Sequence, residues 1–308
     1  MTSSKNKGVA LVTALLVVSL AATVAVALSV HQQFDIRRTA NLINGDQAWL
    51  YAKGAEAWSM AILMRDLEDN TTDSLQDTWA QTLPPIELPG GFMTGEIEDL
   101  HGRLNLNNLV QAGKSDPLTF TRFQRLLEVL ELEPKLAQAV VDWLDANIDA
   151  LPPDGAEDEY YLSLEYPYLA ANRKLVSVSE LRLIKGFDQK TYERLKPYVA
   201  ALPDKTTINV NTAPAAVLAC LGKGIDLELA AEIIGKRKEE PFEKVGDFTG
   251  DELLKGKTVN IQGLSVTSQY FMLHNDTQIG RARATLDSLI YRRGKAVPIR
   301  VLQRSQRL

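Results

Sequence analysis

"MTSSKNKGVALVTALLVVSLAATVAVALSV", residues 1–30, decides how the rest of the chain is read. Lys5, Lys7 and Gly8 precede a run from Val9 to Val30 that holds no charged residue. As a helix, those 22 residues span about 33 Å, enough to cross a bilayer core. A cleaved secretory signal has a shorter apolar region with a small-residue cut site at its far end, and "AVALSVHQQFD" offers only a weak one. The next forty residues stay helical in character. Phe34, Leu42, Trp49, Ala52, Ala55, Ala61 and Leu67 interleave with polar residues at spacings that suit one helical stripe. The expectation is a membrane helix (9–30) that runs on into an amphipathic one to residue 68, a rod of about 85 Å.

The remaining composition narrows the function classes. The 308 residues leave ample length for a core, and the net charge of -5 speaks against a nucleic-acid binder. Cys220 is the single cysteine, so an intrachain disulfide or a CxxC site is excluded, and "AVLACLG" reads as a buried apolar position. His31, His101 and His274 lie far apart, and no HExxH, GxSxG or GxxxxGK[ST] motif occurs. With no nucleophile, base or catalytic metal set, the chain is not expected to be an enzyme.

Downstream of the rod, "DNTTDSLQDTWAQTLPPIELPGG" is rich in turn formers and reads as a linker. "FMTGEIEDLHGRLNLN" alternates like a strand pair turning near His101-Gly102. "LSVTSQYFMLHN", "QIGRARATLDSLIYRRG" and "VPIRVLQRS" alternate likewise, with a turn at Gly294-Lys295. In the middle one, Gly280, Ala282, Ala284, Leu286 and Ile290 share a face, and Arg281, Arg283, Thr285 and Asp287 share the other. An α+β layer is expected: the long helix on an antiparallel sheet (86–108 and 258–308) whose other face stays wet. Residues 109–257 have helical spacing, with Ser179 and Thr212 near Pro214 as helix-start signals, and read as an inserted all-α domain.

Two signals inside the insertion leave alternatives open. "LNLNNL" at Leu104 and "INVNTA" at Ile208 share an alternating apolar–Asn pattern, from duplication or coincidence. "INVNTAPAAVLACLGKGIDLELAAEIIGKRKEEPFEKVGDF" resembles the helix-hairpin-helix domains that grip DNA backbones, with Gly222-Lys223-Gly224 as the turn. Gly222 to Lys257 carries seven Lys or Arg against nine Asp or Glu, the wrong balance for releasing counterions from a duplex. The hairpin is read as scaffold; a membrane-anchored DNA-handling protein is the alternative.

"DWLDANIDALPPDGAEDEYYLSLEYPYLAANR" is the best site candidate, with eight acidic residues from Asp142 to Glu165 and no basic one before Arg173. Asp145, Asn147 and Asp149 fall at i, i+2, i+4, like the opening of an EF-hand, but Ala150 stands where its glycine belongs and Glu157 comes one residue late. Two readings remain: a solvated acidic loop, or an irregular oxygen cage in which a hard cation turns repulsion into a clamp.

"KNKG" with an uncharged apolar helix directly after it resembles the leader of type IV pilin-like proteins. The ordered path from "DLHGRLNLN" through "DWLDA", "GAEDEYYL" and "SVSELRLIKGF" to "INVNTAP" resembles the pseudopilin K family of type II secretion over nearly the full length. That resemblance implies a leader (1–8) cut by prepilin peptidase between Gly8 and Val9, with Val9 the N-methylated mature terminus. Pilin-like proteins carry Glu where this chain has Thr13; lacking that carboxylate is characteristic of this family. The resemblance further implies a pilin-like fold and structural calcium, for which Asp145, Asn147, Asp149, Glu157 and Asp158 are the candidate ligands, with Asp154 in reserve. It implies a subunit at the tip of a periplasmic pseudopilus, anchored by one span in a Gram-negative inner membrane. There it would start or cap assembly with the minor pseudopilins I and J (and H) and contact secreted substrates or the outer-membrane secretin.

Overall fold

The structure, a computed structural model, describes residues 7–82 and 84–306; residues 1–6 of the expected leader lie outside them. One unbroken helix, α1, runs from Lys7 to Asp69. Residues 8–43 expose every side chain, and burial then begins at Ala48. The buried set Ala48, Ala52, Ala55, Glu56, Ser59, Leu63 and Asp66 repeats every three or four residues, one face of a helix. This stripe keeps Ala52 and Ala55 of the expected one but not Phe34, Leu42 or Ala61, which are exposed. Small residues line the contact because they let the helix approach the sheet closely.

That sheet has five antiparallel strands in sequence order: β1 (Ile86–Leu88), β2 (Gly91–Asp99), β3 (Tyr270–Ile279), β4 (Ala282–Tyr291) and β5 (Arg300–Ser305). Because side chains alternate along a strand, Phe271 and Leu273 of β3 and Ile290 of β4 join Leu63 and Trp79 under α1. Tyr270, Leu289 and Tyr291 face the other way and pack on Leu100, Ala200 and Leu202. The second face is therefore covered at one end by the insertion rather than wholly wet. Glu56, 3% exposed, fastens α1 to the sheet: it accepts from Ser288 Oγ at 2.7 Å and from Arg304 Nε and Nη2 at 2.7 and 2.9 Å. Burial acts to raise its pKa, yet Arg304, Lys53 and Ser288 hold it at about 2.

Three expectations about this sheet are corrected. β2 does not turn back at His101-Gly102; residues 100–102 form a 3-10 turn, and Leu104–Asn105 pairs in parallel with Val199–Ala200. "QIGRARATLDSLIYRRG" is not one strand, since Gly280 (φ +56) and Arg281 make the turn between β3 and β4. Residues 100–108 and 258–269 belong to the inserted body, because Thr258–Val259 and Leu264–Ser265 pair with strands inside it. Helix starts shift too: Ser177 caps the turn at 178–183, and the Thr212 hydroxyl donates to Asp99 rather than capping.

The inserted body is not all-α as expected, because short two-stranded ladders pair inside it; it consists of two similar units, and the repeated asparagines organise both. Leu104–Asn105 opens the first and pairs in parallel with Val199–Ala200; Ile208–Asn209 opens the second and pairs in parallel with Leu264–Ser265. Asn105 accepts from the Asn107 amide at 3.1 Å, and Asn209 from the Asn211 amide at 2.9 Å. Asn107 then clasps both backbone groups of Leu175 (2.9 and 2.8 Å), as Asn211 clasps those of Phe242 (both 2.9 Å). Two residues beyond each clasp stands the cap of a short helix, Ser177 or Lys244, its amide held by Glu180 or Asp247 three positions on. A buried asparagine that satisfies a donor and an acceptor holds loop backbone that would otherwise be orphaned. The coincidence of pattern is a structural duplication.

Asp99 ties the second unit to the sheet: its Oδ2 accepts from Thr212 Oγ1 at 2.5 Å, Ser268 Oγ at 2.6 Å and Asn209 Nδ2 at 3.2 Å. On the sheet's outer face, His274 contacts Asp287 (2.9 Å) and Glu98 (3.5 Å). Glu98 first, and then Asp287, raise its pKa against the opposing effect of burial. A raised histidine contributes stability fully present below its ordinary value of 6.5 and lost as pH rises through the folded pKa. The melting midpoint should therefore drop more steeply from about pH 6 to about pH 8 in the parent than in His274→Gln. Parallel pH curves for the two would refute the assignment.

Candidate metal centre and assembly surface

The acidic loop begins where the helix Leu136–Leu144 ends. Asp142, on its last turn, is 1% exposed and reaches forward: its carboxylate accepts from the Leu151 amide at 3.0 Å and the Ala156 amide at 2.7 Å. Gly155 makes that closure possible, since a Cβ there would stand 2.1 Å from Asp142 Oδ2. Residues 145–149 wind through two side-chain turns, the Asn147 amide donating to Asp145 Oδ1 (3.3 Å) and the Asp149 amide to Asn147 Oδ1 (2.8 Å). Asp158 accepts from the Ala170 amide at 2.9 Å and fastens the loop's far side. Beneath lies an aromatic floor, with Trp143 edge-on to Tyr161 (5.3 Å between centroids) and Tyr168 stacked on Tyr161 (5.3 Å).

Glu157 is the telling residue. It is 4% exposed, and neither of its carboxylate oxygens has a hydrogen-bond partner. Burial, and then Asp142, Asp145, Asp158 and Asp149 around it, push its pKa up to about 7. A carboxylate buried without a donor among four others is costly unless protonated or met by a cation. The donor set is all oxygen, which suits a hard divalent ion of calcium's kind. Asp145, Asn147, Asp149, Glu157 and Asp158 stay the candidate ligands of such an ion: Glu157 offers two oxygens without a donor, but no three of these carboxylates lie within 4.8 Å of one another, so an ion would have to draw them in. Asp154 is not gathered into this set; it lines a groove with Lys135 and Lys185. Asp142 was missed as a site residue. Nothing in the sequence separated it from its acidic neighbours before the loop was seen to close on it.

Among the described residues, the three carboxylates drawn within 4.8 Å of one another are elsewhere: Asp66, Asp73 and Asp77. This group already has partners within the fold. Arg292 bonds Asp66 and Asp73, while Asp77 accepts from the Ser74 amide (2.7 Å), Ser74 Oγ (3.0 Å) and Trp79 Nε1 (3.2 Å). It is a structural ion cluster at the end of α1.

α1 itself supplies the other candidate surface. It is the helix long and apolar enough to cross a membrane, with a window of mean hydropathy 2.6 in which no residue is buried. Gly8 and Val9 lie in its first turn, and Thr13 folds its hydroxyl back on the carbonyls of Val9 (3.1 Å) and Ala10 (3.0 Å). Beyond the span, Leu42, Leu50 and Trp58 remain 63%, 68% and 46% exposed. An apolar helix flank of that extent is suited to packing against other helices. The Gly222–Lys223 hairpin, by contrast, is paired with Thr258–Val259, and Lys257 lies over Gly224. Its backbone is engaged inside the fold rather than turned toward a phosphate.

Comparison with known proteins places these features. The family described as type II secretion system (T2SS), protein K, matches residues 102–204 and 208–267, which are the two asparagine-organised units. The chain is 40% identical to the type II secretion system protein K of Pseudomonas aeruginosa, over 97% of this chain and 92% of that one. It is 34% identical to the protein of the same name from Aeromonas hydrophila, over 97% of each. A chain in the crystal structure of the GspK-GspI-GspJ complex from the type 2 secretion system of enterotoxigenic Escherichia coli superposes with a TM-score of 0.78. It is 28% identical, and the match covers 88% of this chain and 99% of that one.

Proposed function

The chain belongs to the type II secretion system protein K family, and from that premise we propose that it is a minor pseudopilin: a non-catalytic subunit at the tip of a pseudopilus. The observation that carries this reading is α1, one helix that is an uncharged span at its start and the support of a sheet at its end. Such a helix stores the subunit in a membrane and can later pack against its like in a filament. The insertion between β2 and β3 is too bulky for the wall of a tightly wound filament, whereas the tip leaves it room. Thr13, with no charge to offer a preceding subunit, suits a position that has nothing above it. The partners are the minor pseudopilins I and J, as in the complex that holds the similar chain, with H as a further neighbour and secreted substrate or the outer-membrane secretin as the contact ahead. Single-pass anchoring in the inner membrane with the bulk in the periplasm belongs to the same assignment. The acidic loop serves this role as a calcium-stabilised fold rather than as a reaction centre.

The test is the intact mass and N-terminal peptide of the membrane-extracted protein from cells with and without prepilin peptidase. A chain beginning at an N-methylated Val9, found only with the peptidase, is the expected result. A chain that starts at Met1 in both strains, or one cut beyond Val30, overturns the reading.

A further inference from the structure

The whole chain has 34 basic and 39 acidic residues, yet Ser288 to Leu308 contains six Arg or Lys and no Asp or Glu. Two of the six are satisfied by the fold: Arg292 turns inward to Asp66 and Asp73, and Arg304 is held by Glu56. Arg293, Lys295 and Arg300 are exposed, and none of them forms an ion pair among the described residues. Arg293 and Lys295 lie in the connection that leads from β4 and Arg300 opens β5, the last strand of the sheet, whose outer side no strand covers among the described residues. Five of its six residues are exposed, Leu302 at 39%.

The opposite edge is built differently. β1 is three residues long and is bracketed by Pro84, Pro85 and Pro89, a device that blunts strand pairing. One edge of the sheet is closed off; the other carries no further strand among the described residues and stands near cations that form no ion pair there, Arg300 lying over the Tyr291 ring at 5.4 Å. Such an edge can accept an extended segment by strand addition.

We infer that β5 is a docking edge for an extended acidic segment of a neighbouring pilin-like subunit, which adds to the sheet as a sixth strand. The inference rests on the minor-pseudopilin reading, and it assigns the contact to this edge. Anionic lipid is the competing ligand for exposed cations, but the fold keeps it away. Arg304 meets Glu56, and Lys295 Nζ lies 3.3 Å from the Glu68 carbonyl, so β5 runs beside the far end of α1. At 1.5 Å per residue that is about 39–57 Å beyond Val30, several Debye lengths from the bilayer surface. A subunit whose own long helix lies along α1 reaches this edge without difficulty.

The experiment uses the full-length protein in detergent with the full-length I and J minor pseudopilins of the same system. Affinity is measured over a range of salt for the parent and for Arg293→Glu/Arg300→Glu, and a photo-crosslinking residue replaces Leu302. The expected result is that the double variant binds about tenfold more weakly at low salt and loses most of the salt dependence, and that Leu302 crosslinks to a partner segment rich in Asp or Glu. If parent and variant bind alike and residue 302 captures no partner, the docking edge is refuted while the assembly reading stands. If the parent binds neither I nor J, the assembly reading itself fails. Capture of lipid or nucleic acid at residue 302 also overturns the proposal. Should the double variant not fold, Lys295→Glu and the crosslink decide the matter by the same criteria.

Discussion

Arg292→Leu is expected to lower unfolding stability by about 4 kcal/mol. Arg292 and its two carboxylate partners, Asp66 and Asp73, are 2%, 5% and 3% exposed. The guanidinium bonds Asp66 at 2.8 Å, bonds Asp73, donates to the Leu63 carbonyl at 3.0 Å near the end of α1, and lies over the Phe271 ring at 4.6 Å. It is the joint between α1, β4 and the strand that returns from the insertion. Leucine would fill much of the space but leave two acids buried without a cation, the costly way to break such a group.

The loss should depend on pH, with a definite sign. Burial already raises Asp73 to about 7 against the pull of Arg292. A carboxyl raised above its ordinary 3.8 contributes its stability at low pH and forfeits it as pH climbs through the folded value. Without the arginine Asp73 loses the pull that lowers it, so the variant should be hurt more at neutral pH than at about pH 5. Denaturant unfolding of the full-length protein in detergent measures both quantities. A loss below about 1 kcal/mol, the range of an exposed ion pair, would show that the joint lies elsewhere. Adding Asp66→Asn and Asp73→Asn to Arg292→Leu should recover part of the stability, since the stranded charges are then gone.

Calcium should raise the melting midpoint of the same preparation, and excess chelator should lower it. At a hundred times its dissociation constant, a ligand bound only by the folded state adds about 2.7 kcal/mol. Glu157→Gln should remove most of the difference, because Glu157 is the buried carboxylate left without a donor; Asp154→Asn, in the groove with Lys135 and Lys185, should leave it intact. In chelator the parent should lose stability as pH rises from 4.5 toward about 7, where the raised Glu157 carboxyl ionises in the fold. With calcium present that decline should vanish, since the ion binds the deprotonated ligand. Equal midpoints with and without calcium would sink the metal reading outright.

How much of this was legible beforehand depends on the kind of interaction. The uncharged run from Val9, the alternation of β3 and β4, and the acidic excess from Asp142 to Glu165 are local patterns, and each located its element. The strand boundaries at Asp99, Gly280 and Tyr270 were misjudged because alternation continues through turns; only pairing shows where a ladder stops. The stripe of α1 is legible only in part, for a related reason. Ala52 and Ala55 are buried as the spacing predicts, but Phe34 and Leu42, whose size dominates a hydropathy pattern, stay exposed, and the sheet takes Ala48 and Leu63 instead.

Composition and periodicity alone settled the outline of this molecule: an apolar span continuing as a rod, an antiparallel sheet, an insertion with helices and an acidic loop, though not the short ladders that pair inside that insertion. These arise from backbone geometry and the water preference of side chains, which act over a few residues. Tertiary structure decided which charges meet. That Glu56 finds Arg304, that Asp142 closes the loop on Leu151 and Ala156, that Glu157 is left without a donor, and that Asn107 and Asn211 clasp equivalent loops are all matters of distance in space. The energy of a buried polar group depends on the single partner it reaches, and that partner stands up to 248 positions away along the chain.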